Sequence, residues 1–324
     1  MTEKKRVLIP IPVNSPAEEY LTEHGYEVVS GTPTDEEWLK EHIGEFDAAI
    51  IRGTLITADI LRAGKPRLKL IARHGIGCDN VDVNAATALG IQVTFTPAAS
   101  INAVAEHTMA LILALAKEII PGSSMTKAGQ WKDFRRDYEG VELMSSTLGL
   151  IGVGRIGSNV AKAAAYGFGM KVVAYDPYAN PNTTDACIQL VDSREEVLKR
   201  ADFVSVHMPL TPETRGSIGG EFFAQMKNGA FFVNTARGEI VDEKALADAL
   251  KNGDIRGAAL DVYCTEPLPA DNLFRELDNV ICSAHFATIT GATLDRLALH
   301  SAISVDEVLS GREISWPVNH LSSD

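Results

Sequence analysis

Only four cysteines occur in 324 residues, Cys78, Cys187, Cys264 and Cys282, and no two stand at a Cys-x-x-Cys spacing. That argues against a disulfide-built scaffold and a cysteine-ligated zinc site, so no metal is expected. Reduced thiols fit a cytoplasmic protein. Positive charge is also short: 30 Lys and Arg against 43 Asp and Glu leave a formal charge of −13. A nucleic-acid partner would want a basic face, so none is expected. An anionic substrate would need its own local cations. Long apolar runs are missing too. The most apolar helical stretch, Ala103 to Ile120, is interrupted by Glu106, His107, Lys117 and Glu118, which argues against a membrane span. After the basic start Met1-Thr-Glu-Lys-Lys-Arg, the apolar residues Val7 to Ile11 run out at Pro12, too short for the core of a signal peptide.

What is present is ordinary globular material, 45% hydrophobic and 23% charged, in a length that suits two domains. The first hundred residues alternate short apolar runs with amphipathic segments. Val7 to Ile11, Glu27 to Ser30, Ala48 to Arg52, Leu68 to Ala72 and Gln92 to Phe95 read as strands, with Glu18 to His24, Asp35 to His42 and Ala58 to Arg62 as helices between them. Such a series predicts a mostly parallel sheet. A long helix follows from about Asn102 to Ile120, then a polar stretch, Pro121 to Ser146, with scattered aromatics.

A second series opens with Leu148-Gly-Leu-Ile-Gly152-Val-Gly154-Arg155-Ile156-Gly157. Thr147 to Ile151 reads as a buried strand and Arg155 to Ala165 as the helix after it. Gly152 permits a tight turn, Gly154 clears the approach of a pyrophosphate, and Gly157 lets helix and strand pack closely. The N–H groups and positive dipole end of the helix then face the phosphates. The strand Met170 to Tyr175 delivers Asp176, nineteen residues past the last glycine, where a carboxylate accepts both ribose hydroxyls and repels a 2′-phosphate. The expected cofactor is NAD. Further strands at Phe203 to Val206, Ala230 to Asn234, Gly257 to Leu260 and Val280 to Cys282 complete six, and a helix from about Gly291 to Leu309 closes the chain. The expected fold class is α/β: two doubly wound parallel-sheet domains, a Rossmann cofactor domain (102–291) inserted into a flavodoxin-like substrate domain (1–101 and 292–324), facing each other across a cleft.

Three polar residues follow the later strands of the second series: Arg237, Glu266 and His285. Reduction of a 2-oxo acid needs a cation for the carboxylate, a hydride donor and a proton donor. Arginine clamps carboxylates with two hydrogen bonds, and histidine paired with glutamate delivers a proton near neutral pH. Taken singly, Arg237 reads as a solvated loop residue, Glu266 as a turn residue before Pro267, and His285 as a satisfied strand-end histidine. Their convergence after strands of one sheet favours catalysis. Asp261 either helps anchor the nicotinamide or caps local backbone. The other histidines, His74, His107 and His207 among them, read from the residues alone as structural or peripheral.

Beyond these residues, several segments in the same order resemble the D-isomer-specific 2-hydroxyacid dehydrogenase family over nearly the whole chain. They are Ala72-Arg-His-Gly-Ile-Gly-Cys-Asp-Asn-Val-Asp82, Ala103-Val-Ala-Glu-His107, the glycine loop, Val206-His-Met-Pro-Leu-Thr211, Asn234-Thr-Ala-Arg-Gly238, Ala259-Leu-Asp-Val-Tyr263 with Glu266-Pro267, and His285. The resemblance implies NAD-dependent hydride transfer with Arg237 on the substrate carboxylate, His285 as acid/base and Glu266 as its partner. It implies cofactor contacts at Gly152, Gly154, Arg155, Ile156, Gly157, Asp176, His207, Thr235, Ala236 and Asp261. Backbone amides of Gly75, Ile76 and Gly77 would grip the carboxylate. Family members are commonly homodimers, with the helix near Ala103 and the arm after Pro121 contributing, and hinge near residues 100 and 292.

Within the family the chain looks closest to the phosphoglycerate dehydrogenase and hydroxypyruvate reductase branch, and is expected to lack the regulatory C-terminal domain. Arg52-Gly53-Thr54 stands where an Arg-Ser-x-Thr phosphate contact is common, so Arg52 is a candidate substrate contact and Gly53 a departure. Arg135 and Arg136 either add positive charge there or are solvated arm residues. Ala284 stands where the family usually has proline before the histidine, and Thr290-Gly-Ala-Thr293 lacks the usual glutamate; loop rigidity is the property expected to change. Thr290 remains a good helix cap. The competing function is an NAD(H)-sensing interaction protein of the corepressor type with little turnover, disfavoured because a sensor has no chemical need of a proton donor.

Overall fold

The computed structural model describes residues 4–321 and divides into two compact units. One comprises the residues up to Ser100 together with those from Ile289 onwards, the other Ile101–Thr288.

The first unit begins with β1 (Arg6–Ile9), α1 (Pro16–Glu23), β2 (Glu27–Ser30), α2 (Glu36–His42) and β3 (Ala48–Ile51). It continues through α3 (Ala58–Ala63), β4 (Leu70–Arg73), α4 (Val83–Ala88) and β5 (Gln92–Thr94). All pairings in this sheet are parallel, in the order β2-β1-β3-β4-β5, which is the flavodoxin-like winding. Parallel strands are covered on both faces, so they carry unbroken apolar runs rather than alternation. Val7, Leu8 and Ile9 are all fully buried, each contributing on the order of 1.5–3 kcal/mol. Helices start where short polar side chains precede them: Asp35 accepts from Trp38 N at 2.9 Å and Asp82 from Ala85 N at 2.9 Å.

The second unit opens with α5 (Ile101–Ala116), α6 (Ile119–Lys127) and α7 (Trp131–Asp137). It then alternates through β6 (Thr147–Ile151), α8 (Arg155–Lys162), β7 (Lys171–Tyr175), β8 (Ile188–Leu190), α9 (Arg194–Arg200) and β9 (Phe203–Val206). The last elements are α10 (Gly220–Gln225), β10 (Phe231–Asn234), α11 (Glu243–Asn252), β11 (Gly257–Leu260) and β12 (Val280–Cys282). The strand order β12-β11-β10-β9-β6-β7-β8 is the dinucleotide-binding winding extended by one strand. The chain then returns to the first unit through α12 (Gly291–Ser310). Thr290 caps this helix as expected, its Oγ1 accepting from Thr293 N at 3.2 Å.

Three expectations need correction. The single helix from Asn102 to Ile120 is two, broken after Ala116 where Glu118 takes a left-handed backbone (φ 51°). Pro121 then sits in the first turn of α6, where a missing N–H leaves no bond unmade. The polar stretch Pro121 to Ser146 is largely helical, because Phe134 packs against Gly122 and joins α7 to α6. The second sheet has seven strands rather than six. The extra one, β8, is three residues at the sheet edge with only Ile188 buried, too short for a readable pattern. Helix α8 also changes after Lys162 to a wider π-type turn, Ala163–Gly167.

Candidate active site

The glycine loop has the shape its sequence demands. Gly152 adopts φ 98°, and a Cβ there would lie 2.8 Å from the His207 carbonyl. A Cβ on Gly157 would run into the Gly152 carbonyl oxygen, whereas one on Gly154 would meet nothing within 4 Å. Gly154 therefore faces open space, as the approach of a pyrophosphate requires. The first N–H groups of α8, those of Arg155, Ile156 and Gly157, point outward without partners in the helix. Asp176 follows β7 and is fixed by amides on both oxygens: Val153 N donates to Oδ2 and Tyr178 N to Oδ1, each at 2.8 Å. Each oxygen keeps a further lone pair for a ribose hydroxyl. These residues fit an adenine dinucleotide. His207 contacts Ser205 Oγ through Nε2 at 2.9 Å, and burial pushes its imidazole down to about 4, so it is neutral beside the loop. Thr235 is buried with its hydroxyl 3.0 Å from that of Thr108, and Ala236 N donates to Asn234 Oδ1 at 3.0 Å.

Strand register explains why Arg237, Glu266 and His285 leave the same edge. Asn234 pairs with Leu260 and Leu260 with Cys282, so β10, β11 and β12 end level and their three loops begin together. Arg237 follows β10 with its carbonyl accepting from Asn234 Nδ2 at 2.9 Å, while its own Nη1 donates to Ala236 O at 2.7 Å. Gly238 has no room for a side chain: a Cβ would overlap the Tyr263 carbonyl carbon. From the residues alone Gly238 carries no role. Its signal was the arginine-glycine pair at a strand end, and its role is to press the Arg237 loop against the β11 loop.

Glu266 Oε2 lies 2.7 Å from His285 Nδ1, and Glu266 Oε1 accepts from Tyr263 N at 3.0 Å. Burial pushes the Glu266 carboxyl up, but the hydrogen bonds with His285 and Tyr263 N outweigh it and hold the group below the usual carboxylate range. With Nδ1 engaged by the carboxylate, Nε2 is the nitrogen left to face a substrate. A hollow of about 610 Å3, lined by Tyr263, Leu268, Cys282 and Ala284 among others, adjoins the pair.

Asp261 is 1% exposed, and its carboxylate is spent largely on its own chain. Oδ1 accepts from Phe286 N at 2.8 Å and Oδ2 from Ala287 N at 3.0 Å. His107 Nε2 lies 3.3 Å from Oδ1 and 3.2 Å from Ser283 Oγ. Burial opposes ionisation of Asp261. The hydrogen bonds with His107, Phe286 N, Ser283 and Ala287 N outweigh it and hold the carboxyl below its ordinary value. The default reading of His107 as peripheral missed this contact, because the partners lie more than 150 positions away in sequence.

In the first unit, Gly75 has φ 148°, and its N–H is used internally, donating to Thr96 Oγ1 and Arg73 O, each at 3.0 Å. Ile76 N and Gly77 N make no hydrogen bond among the described residues. Arg73, which sequence reading did not single out, lies beneath this loop; its Nε donates to Asn80 Oδ1 at 3.1 Å. Arg52 makes no hydrogen bond or ion pair among the described residues and acts on His74, whose ring is 4% exposed. In the second unit, Arg136 is paired with Asp133 and Asp137, at 3.0 and 2.7 Å, and Arg135 stacks on Trp131. Those two arginines are arm residues with partners of their own.

Among the described residues, no group of three or more His, Cys, Asp or Glu could hold a metal, and no helix is long and apolar enough to cross a membrane. Residues 109–287 match the family model "D-isomer specific 2-hydroxyacid dehydrogenase, NAD binding domain". The chain is 44% identical over 316 residues to the D-3-phosphoglycerate dehydrogenase of Methanocaldococcus jannaschii, covering 97% of this chain and 59% of that protein. It is 42% identical over 298 residues to the hydroxypyruvate reductase of Thermotoga maritima, covering 91% and 95%. The holo form of Rhodotorula graminis D-mandelate dehydrogenase superposes with a TM-score of 0.92 at 26% identity, covering 99% of each chain. The chain spans between 50% and 59% of the length of the phosphoglycerate dehydrogenases it matches. A glycine loop open at Gly154, an aspartate at the end of the next strand and this agreement over the matched region have one source: the chain belongs to the D-isomer-specific 2-hydroxyacid dehydrogenases, and residues 109–287 are its NAD-binding domain.

Proposed function

We propose that the protein interconverts a small D-2-hydroxy acid and its 2-oxo acid with NAD, and that the substrate is 3-phosphoglycerate/3-phosphohydroxypyruvate or an unphosphorylated hydroxypyruvate- or glyoxylate-type acid. The observation that carries this reading is the 2.7 Å contact between His285 Nδ1 and Glu266 Oε2, on loops leaving the carboxyl edge of the NAD-binding sheet. Bound NADH supplies the hydride. Arg237 holds the substrate carboxylate through its planar donor fork. His285 Nε2 gives a proton to the carbonyl oxygen as the alkoxide develops, while Glu266 fixes the ring through Nδ1. In the oxidative direction the same nitrogen removes the hydroxyl proton. The second lone pair of Asp261 Oδ2 remains for the cofactor's carboxamide.

Arg52 supports the phosphorylated substrate, since it is a guanidinium without another partner among the described residues. The exposed apolar side chains Ile119, Ile120, Trp131, Met144 and Tyr166 support a homodimer formed through the second unit. A cytoplasmic location completes the reading.

The test is NADH oxidation by purified protein against 2-oxo acids, including 3-phosphohydroxypyruvate, hydroxypyruvate and glyoxylate, with NADPH in parallel. Preference for the phosphorylated acid assigns Arg52 to the phosphate. Preference for an unphosphorylated one leaves Arg52 outside the reaction. NADH binding without turnover of any acid would reject the enzyme reading in favour of a dinucleotide sensor.

A further inference from the structure

His285 carries a backbone φ of 50°, a left-handed conformation that is unfavourable for an L-residue with a Cβ. Something must hold the turn. The residue before it is Ala284, whose φ is unrestrained by a ring, so the restraint comes from elsewhere. Three consecutive amides of the turn end on one residue. His285 N donates to the Asp261 carbonyl at 2.8 Å, and Phe286 N and Ala287 N donate to the two carboxylate oxygens. Tyr263 OH adds a bond to Ser283 O at 2.8 Å. The Asp261 carboxylate is therefore the post around which the His285 turn is wound, and a buried carboxylate needs donors on every side to stay where it is. The amides and the Ser283 hydroxyl approach from the turn, and a further contact comes from α5, where His107 Nε2 lies 3.3 Å from Oδ1.

We propose that His107 is a positioning residue for the His285 turn: its Nε2–H fastens the Asp261 carboxylate, which in turn gathers the Phe286 and Ala287 amides and sets His285 against Glu266. A carboxylate accepts only, so a hydrogen bond at this contact requires a hydrogen on Nε2. Ser283 Oγ, within 3.2 Å of the same nitrogen, lies at the head of the turn and ties His107 to both of its ends. The inference rests on the enzyme reading for its kinetic consequence and stands apart from it for its structural one.

The experiment compares His107→Gln, His107→Asn and His107→Phe. A glutamine amide places its N–H at the reach of imidazole Nε2, an asparagine amide at that of Nδ1, and phenylalanine keeps the ring without a donor. The first readout needs no turnover: amide hydrogen exchange at Phe286 and Ala287 by NMR. Asn and Phe should speed exchange at these two amides about tenfold or more, leaving the core strands unchanged, while Gln stays near wild type. The second readout is kinetic. Asn and Phe should lower kcat about ten- to a hundredfold with the NADH dissociation constant within about twofold, and Gln should restore most of it. Wild-type exchange at both amides in the Phe and Asn variants would overturn the proposal, as would equal loss in Gln. Faster exchange throughout the second unit, with NADH affinity falling in step, would mean a general folding role and overturn it too. If the wild-type protein turns over no 2-oxo acid, the enzyme reading fails, and the exchange data alone decide the role of His107.

Discussion

At the scale of single residues, the chemistry is concentrated in groups whose environments oppose one another. Glu266 is pushed up by burial and pulled down further by its hydrogen bonds. A carboxyl whose folded value lies below its unfolded one stabilises the fold above the unfolded value, and that contribution is lost as the pH falls through the folded value. The Glu266–His285 pair should therefore survive throughout the neutral range and fail only in acid. Replacing His285 with alanine should lower kcat for 2-oxo acid reduction about a hundred- to ten-thousandfold with NADH affinity retained, measured by steady-state kinetics and fluorescence titration. Arg237→Lys keeps the charge but loses the fork. It should raise KM for the acid and lower kcat/KM about tenfold or more, whereas KM for NADH should not move. His74 acts in the same direction. Burial, then the charges of Arg52 and Arg73, push its imidazole down to about 4. The unfolded chain takes up a proton near pH 6.5 that the folded one refuses, so stability is full above that value and falls as the pH drops towards 4, by up to about 3 kcal/mol. Urea midpoints measured across that window should slope for the wild type and flatten in His74→Leu.

Elements decide how those groups are delivered. The glycine loop was legible because each glycine answers a separate steric demand: a positive φ at Gly152, open space at Gly154 and a backbone contact at Gly157. Gly157→Ala drives a methyl group into the Gly152 carbonyl, so it should cost NADH affinity about tenfold or more while the rest of the sheet stays folded; calorimetric titration and circular dichroism check the two halves of that statement. The strands were equally legible, since four-residue apolar runs bounded by polar turns have little else to be. The break after Ala116 was not legible. Lys117 and Glu118 continue a helical pattern, and it is packing in the second unit, including the Arg256 ion pair with Glu118 at 2.8 Å, that turns the chain there. Strand β8 was missed for the related reason that an edge strand of three residues draws its stability from one neighbour and leaves no periodicity.

For the molecule as a whole, each unit carries its own sheet and its own apolar core. Ligand binding stabilises the folded state by mass action, so NADH at a hundred times its dissociation constant should add about 2.7 kcal/mol to the unit that holds it. The exposed apolar residues of α6, α7 and the segments near Met144 and Tyr166 lie in that same unit. Ile120→Asp combined with Met144→Lys should convert a dimer to a monomer in sedimentation equilibrium; a wild-type monomer at micromolar concentration would reject the dimer outright.

By itself, the sequence determined what depends on local geometry: the two parallel sheets, the glycine turn, the aspartate at the end of β7, and the candidates Arg237, Glu266 and His285 at strand ends. Those signals survive in one dimension because turn sterics, burial of parallel strands and helix capping act over a few residues. Only the tertiary structure decided which side chains meet. The Glu266 carboxylate reaches His285 across nineteen positions, Gly238 presses on Tyr263, and His107 reaches Asp261 from a helix that precedes the whole sheet. It also gave the Gly75 amide to the Thr96 hydroxyl. Such contacts follow from strand order and register, which a chain settles only when its sheets close, and no short-range pattern encodes them.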